Sequence, residues 1–279
     1  MERQFELWFT EHQTENVALG LRIQSTLHRE QTKYQDLAVV DTIAYGRMLV
    51  LDGAVQTTVA DEFVYHEMIT HVPLQVHPRP RRVAIVGGGD GGAVREILKD
   101  PAVERVTLIE IDEAVTRVSR QFLPSIACGL DDPRVEVRFE DGIEHMQKHE
   151  HAYDVVIIDS TDPVGPASGL FQTPFYTSVY QALADDGIMV AQTESPFLEK
   201  ELVRSAAQAM RAVFPRVDVY LAAIPTYPSG LWSFTMGSKK YDPTIPQRRQ
   251  LNGATRYYNF ALHTGAFALP NFVRELVAG

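Results

Sequence analysis

Residues 82–92 read RVAIVGGGDGG, a short apolar strand that runs directly into a loop of five glycines and one aspartate. The residues that follow, GGAVREILKD at 91–100, have the pattern of a helix. Glycine permits the tight turn between the strand and the helix, and it lets the backbone approach a bound ligand closely. This strand–loop–helix unit predicts the start of an open α/β sheet.

Apolar strands alternate with helices from this unit towards the C-terminus. Further strand-like segments are VTLIEID (106–112), VEVRFED (135–141), YDVVIID (153–159), GIMVAQ (187–192), VDVYLAAI (217–224) and LWSFTMGSK (231–239). Apolar strands that alternate with helices are typical of a parallel sheet covered on both faces. We therefore predict an α/β fold over residues 81–279, with a Rossmann-like, methyltransferase-type, mostly parallel seven-stranded sheet.

The N-terminal part of the chain has a different pattern. Over residues 1–60, short strand-like segments are separated by turn signals such as Asp52-Gly53, which predicts a small antiparallel β-domain. Residues 61–80 are predicted to connect the two domains. Within them we expect a helix that Asp61 caps and that stops near Pro73, followed by a hinge.

Composition excludes several classes of function. The chain has 26 Lys and Arg against 36 Asp and Glu, a net charge of −10, which argues against a nucleic-acid partner. Cys128 is the only cysteine, as suits a cytoplasmic protein without disulfides. No apolar run approaches the roughly 18 residues that span a membrane. His66 and His71 are five residues apart and do not share a helix face, so we expect no metal site there.

Three acidic residues close predicted strands, and a fourth lies in the glycine loop: Glu110, Asp141, Asp159 and Asp90. Strands of a parallel sheet place their carboxyl ends at one edge, where open α/β folds bind ligands. An acid about 20 residues after the loop, as Glu110 is, can accept hydrogen bonds from both ribose hydroxyls. Each acid alone is equally compatible with a helix N-cap. Together they predict a nucleoside site.

Asp90 narrows the choice of nucleoside. A pyrophosphate prefers bare backbone N–H groups at a helix N-terminus, and an anionic side chain in the loop would repel it. The carboxylate of ordinary S-adenosylmethionine would be repelled as well. The loop therefore favours a sulfonium nucleoside that ends in an ammonium group, such as decarboxylated S-adenosylmethionine.

Two stiff loops carry further candidate residues. The segment DSTDPVGP (159–166) places Asp162 three residues after Asp159, so that the two carboxylates form a negative pocket mouth. The alternative for this segment is an Asx-type turn before a helix. In IPTYPSG (224–230), Tyr227 can offer its ring face and hydroxyl to an alkyl ammonium, and an ordinary half-buried tyrosine is the alternative.

Ten segments, spread over almost the whole chain, form a recognisable set. They are YQD (34–36), LDGAVQTT (51–58), DEFVYHEM (61–68), GGGDGG (87–92), EID (110–112), EDG (140–142), DSTDPVGP (159–166), IPTYPSGLW (224–232), RYYN (256–259) and AFALP (266–270). In these motifs and their order the sequence closely resembles the spermidine synthases, the polyamine aminopropyltransferase family.

The resemblance implies roles for individual positions. Residues implied to hold the nucleoside and its aminopropyl group are Gln35, His66, Gly87, Asp90, Glu110, Asp141, Gly142 and Pro166. Asp159 is implied to be the proton acceptor, and the residues implied to bind the amine are Tyr65, Asp159, Asp162 and Tyr227. Gln56 and Trp232 are expected to line the pocket.

The implied reaction transfers the aminopropyl group of decarboxylated S-adenosylmethionine to putrescine and gives spermidine and 5′-methylthioadenosine. The nucleoside is then a co-substrate, and no cofactor is expected. The family forms homodimers or homotetramers. The sequence leaves open cadaverine, agmatine and longer polyamines as acceptors, a small-molecule methyltransferase on the same fold, and a catalytically silent nucleoside-binding module.

Overall fold

The computed structural model describes residues 6–161, 169–249, 251 and 253–278. The N-terminal sheet has five strands in sequential antiparallel order: β1 (Leu7–Thr14), β2 (Val17–Gln31), β3 (Asp36–Thr42), β4 (Gly46–Leu51) and β5 (Ala54–Thr58). Asp52 and Gly53 join β4 to β5 with φ of 50° and 83°. Positive φ at both positions is the two-residue hairpin turn that an Asp-Gly pair favours, so the predicted antiparallel domain is confirmed.

The second sheet is mostly parallel. Its strands are β6 (Arg82–Gly87), β7 (Arg105–Glu110), β8 (Val135–Phe139), β9 (Tyr153–Asp159), β10 (Leu183–Gln192), β11 (Arg216–Ala223) and β12 (Leu231–Ser238). They lie in the order β11-β12-β10-β9-β6-β7-β8, and β12 runs antiparallel to both of its neighbours. The predicted seven-stranded Rossmann-like sheet is therefore confirmed.

Helices cover both faces of this sheet. They are α1 (Glu62–Val76), α2 (Gly92–Leu98), α3 (Glu113–Phe122), α4 (Pro124–Ala127), α5 (Gly142–Gln147), α6 (Thr173–Ala182), α7 (Lys200–Arg211), α8 (Phe260–Ala266) and α9 (Asn271–Val277). Side chains of β6 alternate between the two layers, with Val83 and Ile85 in the core that contains α1 and α2, and Ala84 and Val86 in the core that contains α6. No helix in the described ranges is both long enough and apolar enough to cross a bilayer.

Two local predictions about α1 are wrong. The helix does not stop near Pro73 but continues to Val76, because Val72, Leu74 and Val76 are fully buried and their packing outweighs the one hydrogen bond that proline cannot donate. Asp61 stands at the N-cap position, yet its carboxylate accepts no helix N–H group. It accepts hydrogen bonds from the hydroxyl of Thr58 and from the backbone and hydroxyl of Thr226 instead.

The two sheets are joined through α3. Leu37 and Leu49 of the N-terminal sheet form one apolar cluster with Val115 and Val118 of this helix. Burial of such side chains contributes about 1.5–3 kcal/mol each, so the N-terminal sheet is firmly seated on the larger domain. This docking places the loop that precedes β3 opposite the carboxyl edge of the parallel sheet.

Candidate active site

A cavity of about 450 Å³ opens at the carboxyl edge of the parallel sheet, beneath the N-terminal sheet. It brings together every predicted site residue that the structure describes: Gln35, Gln56, Tyr65, His66, Gly87, Asp90, Glu110, Asp141, Gly142, Asp159, Tyr227 and Trp232. Asp162 and Pro166 lie outside the described residues. Residues distant in sequence therefore meet at the sheet edge where the strand pattern placed them.

The glycine loop lies directly against the end of β9. Gly87 has a φ of +82°, and a Cβ atom there would lie 2.1 Å from the carbonyl oxygen of Asp159. At Gly88 a Cβ atom would lie 2.6 Å from Oδ2 of the same residue. Only glycine fits at these positions, which lets the backbone itself form the floor of the cavity.

Two carboxylates, Glu110 and Asp141, line one part of the cavity. Glu110 is buried at the end of β7, where it accepts hydrogen bonds from the backbone N–H groups of Gly89 (3.1 Å) and Asp112 (2.9 Å). Burial raises the pKa of Glu110 to about 7, although those hydrogen bonds oppose the shift. Asp141 accepts the backbone N–H groups of Ile143 and Glu144, so it caps α5 as well as lining the cavity.

The side chain of Asp90 lies between a backbone donor and a histidine. Its Oδ1 accepts the N–H of Gly92 at 2.8 Å, and its Oδ2 lies 3.4 Å from Nε2 of His66. Nδ1 of His66 lies 2.6 Å from Glu62, whose two oxygens accept both terminal nitrogens of Arg95. His66 thus lies between two carboxylates and is only 2% exposed.

Asp159 is held on one side and free on the other. Its Oδ1 accepts a 2.6 Å hydrogen bond from the hydroxyl of Tyr65. Its Oδ2 is buried and has no hydrogen-bond partner among the residues that the structure describes. Burial raises the pKa of Asp159 to about 6, and the negative charge of Asp90 acts in the same direction. A carboxylate in this state is suited to accept a proton near neutral pH.

An aromatic wall stands beside Asp159. The ring of Tyr227 lies 5.5 Å from that of Tyr65 and 4.7 Å from that of Trp232, measured between centroids. The hydroxyl of Tyr227 donates to the backbone carbonyl of Gln56 at 2.6 Å. Burial raises the pKa of Tyr65 and Tyr227 well above the ordinary value, so both phenols stay neutral donors. The wall is apolar with fixed hydroxyl groups, which suits an alkyl chain.

Two family profiles match most of the chain. Residues 62–248 match the family profile described as the spermine/spermidine synthase domain, and residues 7–59 match the spermidine synthase tetramerisation domain. This chain belongs to the spermine/spermidine synthase family. The second match coincides with the N-terminal antiparallel sheet.

Curated relatives cover nearly the whole chain. A polyamine aminopropyltransferase of Moorella thermoacetica is 57% identical over 272 residues, which is 97% of this chain and 96% of the relative. A polyamine aminopropyltransferase of Caldicellulosiruptor saccharolyticus is 54% identical over 275 residues, covering 98% and 99% of the two chains.

Solved structures agree with the fold. A spermidine synthase in complex with the transition-state analogue AdoDATO superposes with a TM-score of 0.95 at 41% identity, covering 98% of this chain and 95% of the other. The spermidine synthase of Thermotoga maritima gives a TM-score of 0.92 at 39% identity, covering 98% and 94%.

The sequence did not predict the residues that hold the cavity residues in position. Asp112 accepts hydrogen bonds from the side-chain amide of Gln35 (2.9 Å) and the hydroxyl of Thr32 (2.8 Å), and so ties the loop before β3 to the site. Nothing in the sequence signals a contact between these distant segments. The pairing of Glu62 with His66 could have been predicted from the sequence, because residues four apart lie next to each other on a helix.

His145 is held by neighbouring side chains. His145 is buried and lies 2.6–2.7 Å from the hydroxyl of Tyr153 and the carboxylate of Glu140. Across the described ranges, no group of three or more His, Cys, Asp or Glu side chains is arranged to hold a metal ion.

Proposed function

We propose that this protein transfers the aminopropyl group of decarboxylated S-adenosylmethionine to putrescine, giving spermidine and 5′-methylthioadenosine. A putrescine nitrogen attacks the CH₂ carbon next to the sulfonium. The carbon–sulfur bond breaks with its electron pair passing to sulfur, and the nitrogen loses one proton. The observation that carries the proposal concerns Asp159, which lines the same cavity as the loop carboxylate of Asp90 and whose buried Oδ2 has no hydrogen-bond partner among the described residues.

On the donor side, the proposal assigns the nucleoside to the cavity lined by Glu110, Asp141 and Gly142. Glu110 would accept hydrogen bonds from the ribose hydroxyls, and the base would contact Asp141 and Gly142. Gln35, His66, Gly87 and Pro166 complete the assigned donor site. The donor ammonium would pair with Asp90, since that carboxylate has no cationic partner other than His66 among the described residues.

On the acceptor side, putrescine would lie along the aromatic wall of Tyr65, Tyr227 and Trp232. Its reacting nitrogen would face Asp159, and its distal ammonium would pair with Asp162. An alkyl ammonium has a pKa of about 10.4 in water and is not nucleophilic while protonated. The raised pKa of Asp159 lies closer to that of the ammonium than an ordinary aspartate pKa does. The positive sulfonium nearby would also lower the pKa of the amine.

The rate enhancement would come mainly from alignment. Fixing two reactants in line can lower a barrier by about 7–11 kcal/mol. A positioned general base adds a factor of about 10²–10⁴. The sulfonium is already an activated leaving group, so the proposed reaction needs no cofactor, and the nucleoside is a co-substrate.

The proposal extends to assembly and location. β1 and β2 present exposed Leu7, Trp8 and Val17, which are 55%, 56% and 42% exposed, in the segment that matches the tetramerisation profile. Large exposed apolar side chains of this kind are typical of protein interfaces. We assign these strands to a homotetramer interface, which light scattering of the purified protein would test. A single cysteine, Cys128, is consistent with a reducing cytoplasm.

The decisive experiment combines purified protein with decarboxylated S-adenosylmethionine and a panel of amines. Mass spectrometry follows 5′-methylthioadenosine and each aminopropylated product. We expect spermidine from putrescine as the main product. Product chiefly from cadaverine, agmatine or spermidine would keep the reaction and change the acceptor. Methyl transfer from S-adenosylmethionine without any aminopropyl product would overturn the proposal.

A further inference from the structure

His66 is held between two carboxylates in a way that only one protonation state satisfies. Nδ1 lies 2.6 Å from Oε2 of Glu62, and Nε2 lies 3.4 Å from Oδ2 of Asp90. A neutral imidazole carries one N–H, so either tautomer would aim a lone pair at a carboxylate. The doubly protonated ring donates to both. The side chain is only 2% exposed, and these two carboxylates are the partners at its ring nitrogens.

Glu62 is itself fixed as a carboxylate. Arg95 donates to both of its oxygens, at 3.0 and 2.8 Å, in the fork geometry that guanidinium groups make with carboxylates. Burial would raise the pKa of Glu62, but the hydrogen bond from His66 and the charge of Arg95 lower it to about 2. Glu62 therefore stays charged at any pH at which the protein would work.

We propose that Glu62, anchored by Arg95, is a positioning residue that keeps His66 doubly protonated and paired with Asp90. Glu62 contributes no atom to the cavity wall and acts through the histidine ring. In the free protein the positive imidazolium then partly neutralises the negative charge of Asp90. This inference rests on the proposed function in one respect only, that the ligand which pairs with Asp90 is the ammonium group of the donor.

The charged groups around His66 support this assignment. From its own helix it faces Glu62, from the glycine loop Asp90, and from the end of β9 Asp159, whose pKa it lowers through its charge. Arg95 from α2 reaches it only through Glu62. Burial opposes a charged ring, but the two nearest carboxylates raise the pKa of His66 well above its ordinary value.

Glu96 provides a closely matched control. It is buried like Glu62, it also accepts a hydrogen bond from Arg95 (2.9 Å from Nε), and it also pairs with a buried histidine, His71, at 3.0 Å. Unlike Glu62 it has a lysine partner as well, Lys99 at 2.6 Å. His71 lies five residues further along α1 and does not line the cavity. Glu96→Gln therefore removes a buried charge beside Arg95 without touching His66.

The test is a titration of His66 in the free protein by two-bond ¹H–¹⁵N correlation, which distinguishes the imidazolium from both neutral tautomers. His66→Gln identifies the resonance. In the wild type we expect an imidazolium at about pH 7.5. Glu62→Gln should lower the pKa of His66 by about 1–3, the range for loss of a close opposite charge, and Glu62→Asp should restore most of it. Glu96→Gln should leave it unchanged.

Three results would overturn the proposal. They are a neutral His66 ring in the wild type at about pH 7.5, an unchanged pKa in Glu62→Gln, and an equal fall in Glu62→Gln and Glu96→Gln. The first needs no substitution of Glu62, so a folding defect in Glu62→Gln does not block the test. Because no substrate is added, the result is independent of whether the protein transfers aminopropyl groups.

Discussion

The hydroxyl of Tyr65 donates a 2.6 Å hydrogen bond to Oδ1 of Asp159, joining α1 to the end of β9 across 94 residues of sequence. This bond orients the carboxylate and leaves Oδ2 buried without a hydrogen-bond partner among the described residues. In the proposed reaction the two oxygens would have separate tasks, since Oδ1 fixes the geometry of the carboxylate and Oδ2 would accept the proton. Both tasks lead to measurable expectations.

Tyr65→Phe should move the acidic limb of the pH–rate profile upwards. Burial raises the pKa of Asp159 to about 6, and the hydrogen bond from Tyr65 opposes this rise. We therefore expect kcat/KM of the wild type to fall below about pH 6. A hydrogen bond to a charged group contributes about 1.5–3 kcal/mol, so its loss should raise this limb by about 1–2 pH units.

Tyr227→Phe is the control for this limb. It removes a phenol from the same wall, but one whose hydroxyl donates to the carbonyl of Gln56 rather than to Asp159. Its acidic limb should stay near that of the wild type, whatever its effect on KM for the amine. Equal limbs in all three proteins would show that Asp159 is not the group that titrates.

Asp159→Asn should reduce turnover far more than donor binding. The amide has the same shape and can still accept the hydrogen bond of Tyr65, but it cannot take a proton from an amine. We expect kcat to fall by about 10²–10⁴, the usual contribution of a general base. The Kd of decarboxylated S-adenosylmethionine, measured by calorimetry, should change by only a few-fold. Wild-type turnover in this variant would remove Asp159 from the mechanism.

The same substitution should stabilise the folded protein at alkaline pH. The pKa of Asp159 is about 6 when folded against an ordinary value of 3.8, so between these values the folded state binds more protons than the unfolded state. The charged residue therefore costs stability as pH rises through this range. Asp159→Asn should gain about 1–3 kcal/mol at pH 8, at about 1.4 kcal/mol per pH unit, with a discount for the water in the cavity.

Urea unfolding of the wild type and Asp159→Asn at pH 8 and at pH 4 checks this sign. The gain should be present at pH 8 and nearly absent at pH 4, where Asp159 is protonated in the folded state. If Asp159→Asn were less stable than the wild type at pH 8, the charged carboxylate of Asp159 would stabilise the fold instead of destabilising it.

The fold and most of the site followed from local pattern. Apolar strands that end in an acid placed Glu110, Asp141 and Asp159 at one sheet edge, because parallel strands end on the same side. The glycine loop predicted close approach, and Gly87 indeed lies against the backbone of Asp159. These features depend on neighbours in sequence or on sheet geometry, so single-sequence reasoning reaches them.

Features decided by packing could not be found in this way. Asp61 has the residue type and position of an N-cap, but a distant partner, Thr226, takes its carboxylate. Pro73 has the sequence signal of a helix end, but complete burial of the residues around it extends α1 to Val76. In both cases a tertiary contact outweighs a local preference of about 1–3 kcal/mol.

Glu110→Gln should weaken donor binding and remove its pH dependence near neutrality. If the carboxylate accepts the ribose hydroxyls, the donor binds the deprotonated form, and burial has raised the pKa of Glu110 to about 7. Donor affinity of the wild type should therefore fall by up to about tenfold for each pH unit below 7. The variant should bind about 10–150-fold more weakly at pH 8, since hydrogen bonds to charged groups contribute about 1.5–3 kcal/mol.

Glu140→Gln serves as the control for Glu110→Gln. Glu140 follows the neighbouring strand and pairs with His145, but it does not line the cavity. The affinity of Glu140→Gln for the donor, measured by calorimetric titration at pH 6 and pH 8, should equal that of the wild type at each pH. A Glu110→Gln protein that binds the donor as tightly as the wild type would exclude Glu110 as the ribose ligand.

Gly92→Ala should destabilise the protein and disturb the site, whereas Gly265→Ala should do neither. A Cβ atom at Gly92 would lie 2.1 Å from Cε1 of His66, so the ring must leave its place beside Asp90. Overpacking of this kind costs about 1–3 kcal/mol. Gly265 lies in α8 with nothing within 4 Å of the added atom, and alanine there should stabilise the helix by about 0.5–1 kcal/mol.

Unfolding free energies and donor affinities of these two variants distinguish the clash with His66 from the effect of replacing a glycine in a helix. Both changes add one methyl group to a helical glycine, and they differ in what that methyl group meets. We expect Gly92→Ala to lose stability and donor affinity together, because the imidazole is displaced from the cavity wall, where the proposal assigns His66 to the donor site. If Gly92→Ala bound the donor normally, the ring of His66 would have room to move, and its close pairing with Asp90 would not be needed for binding.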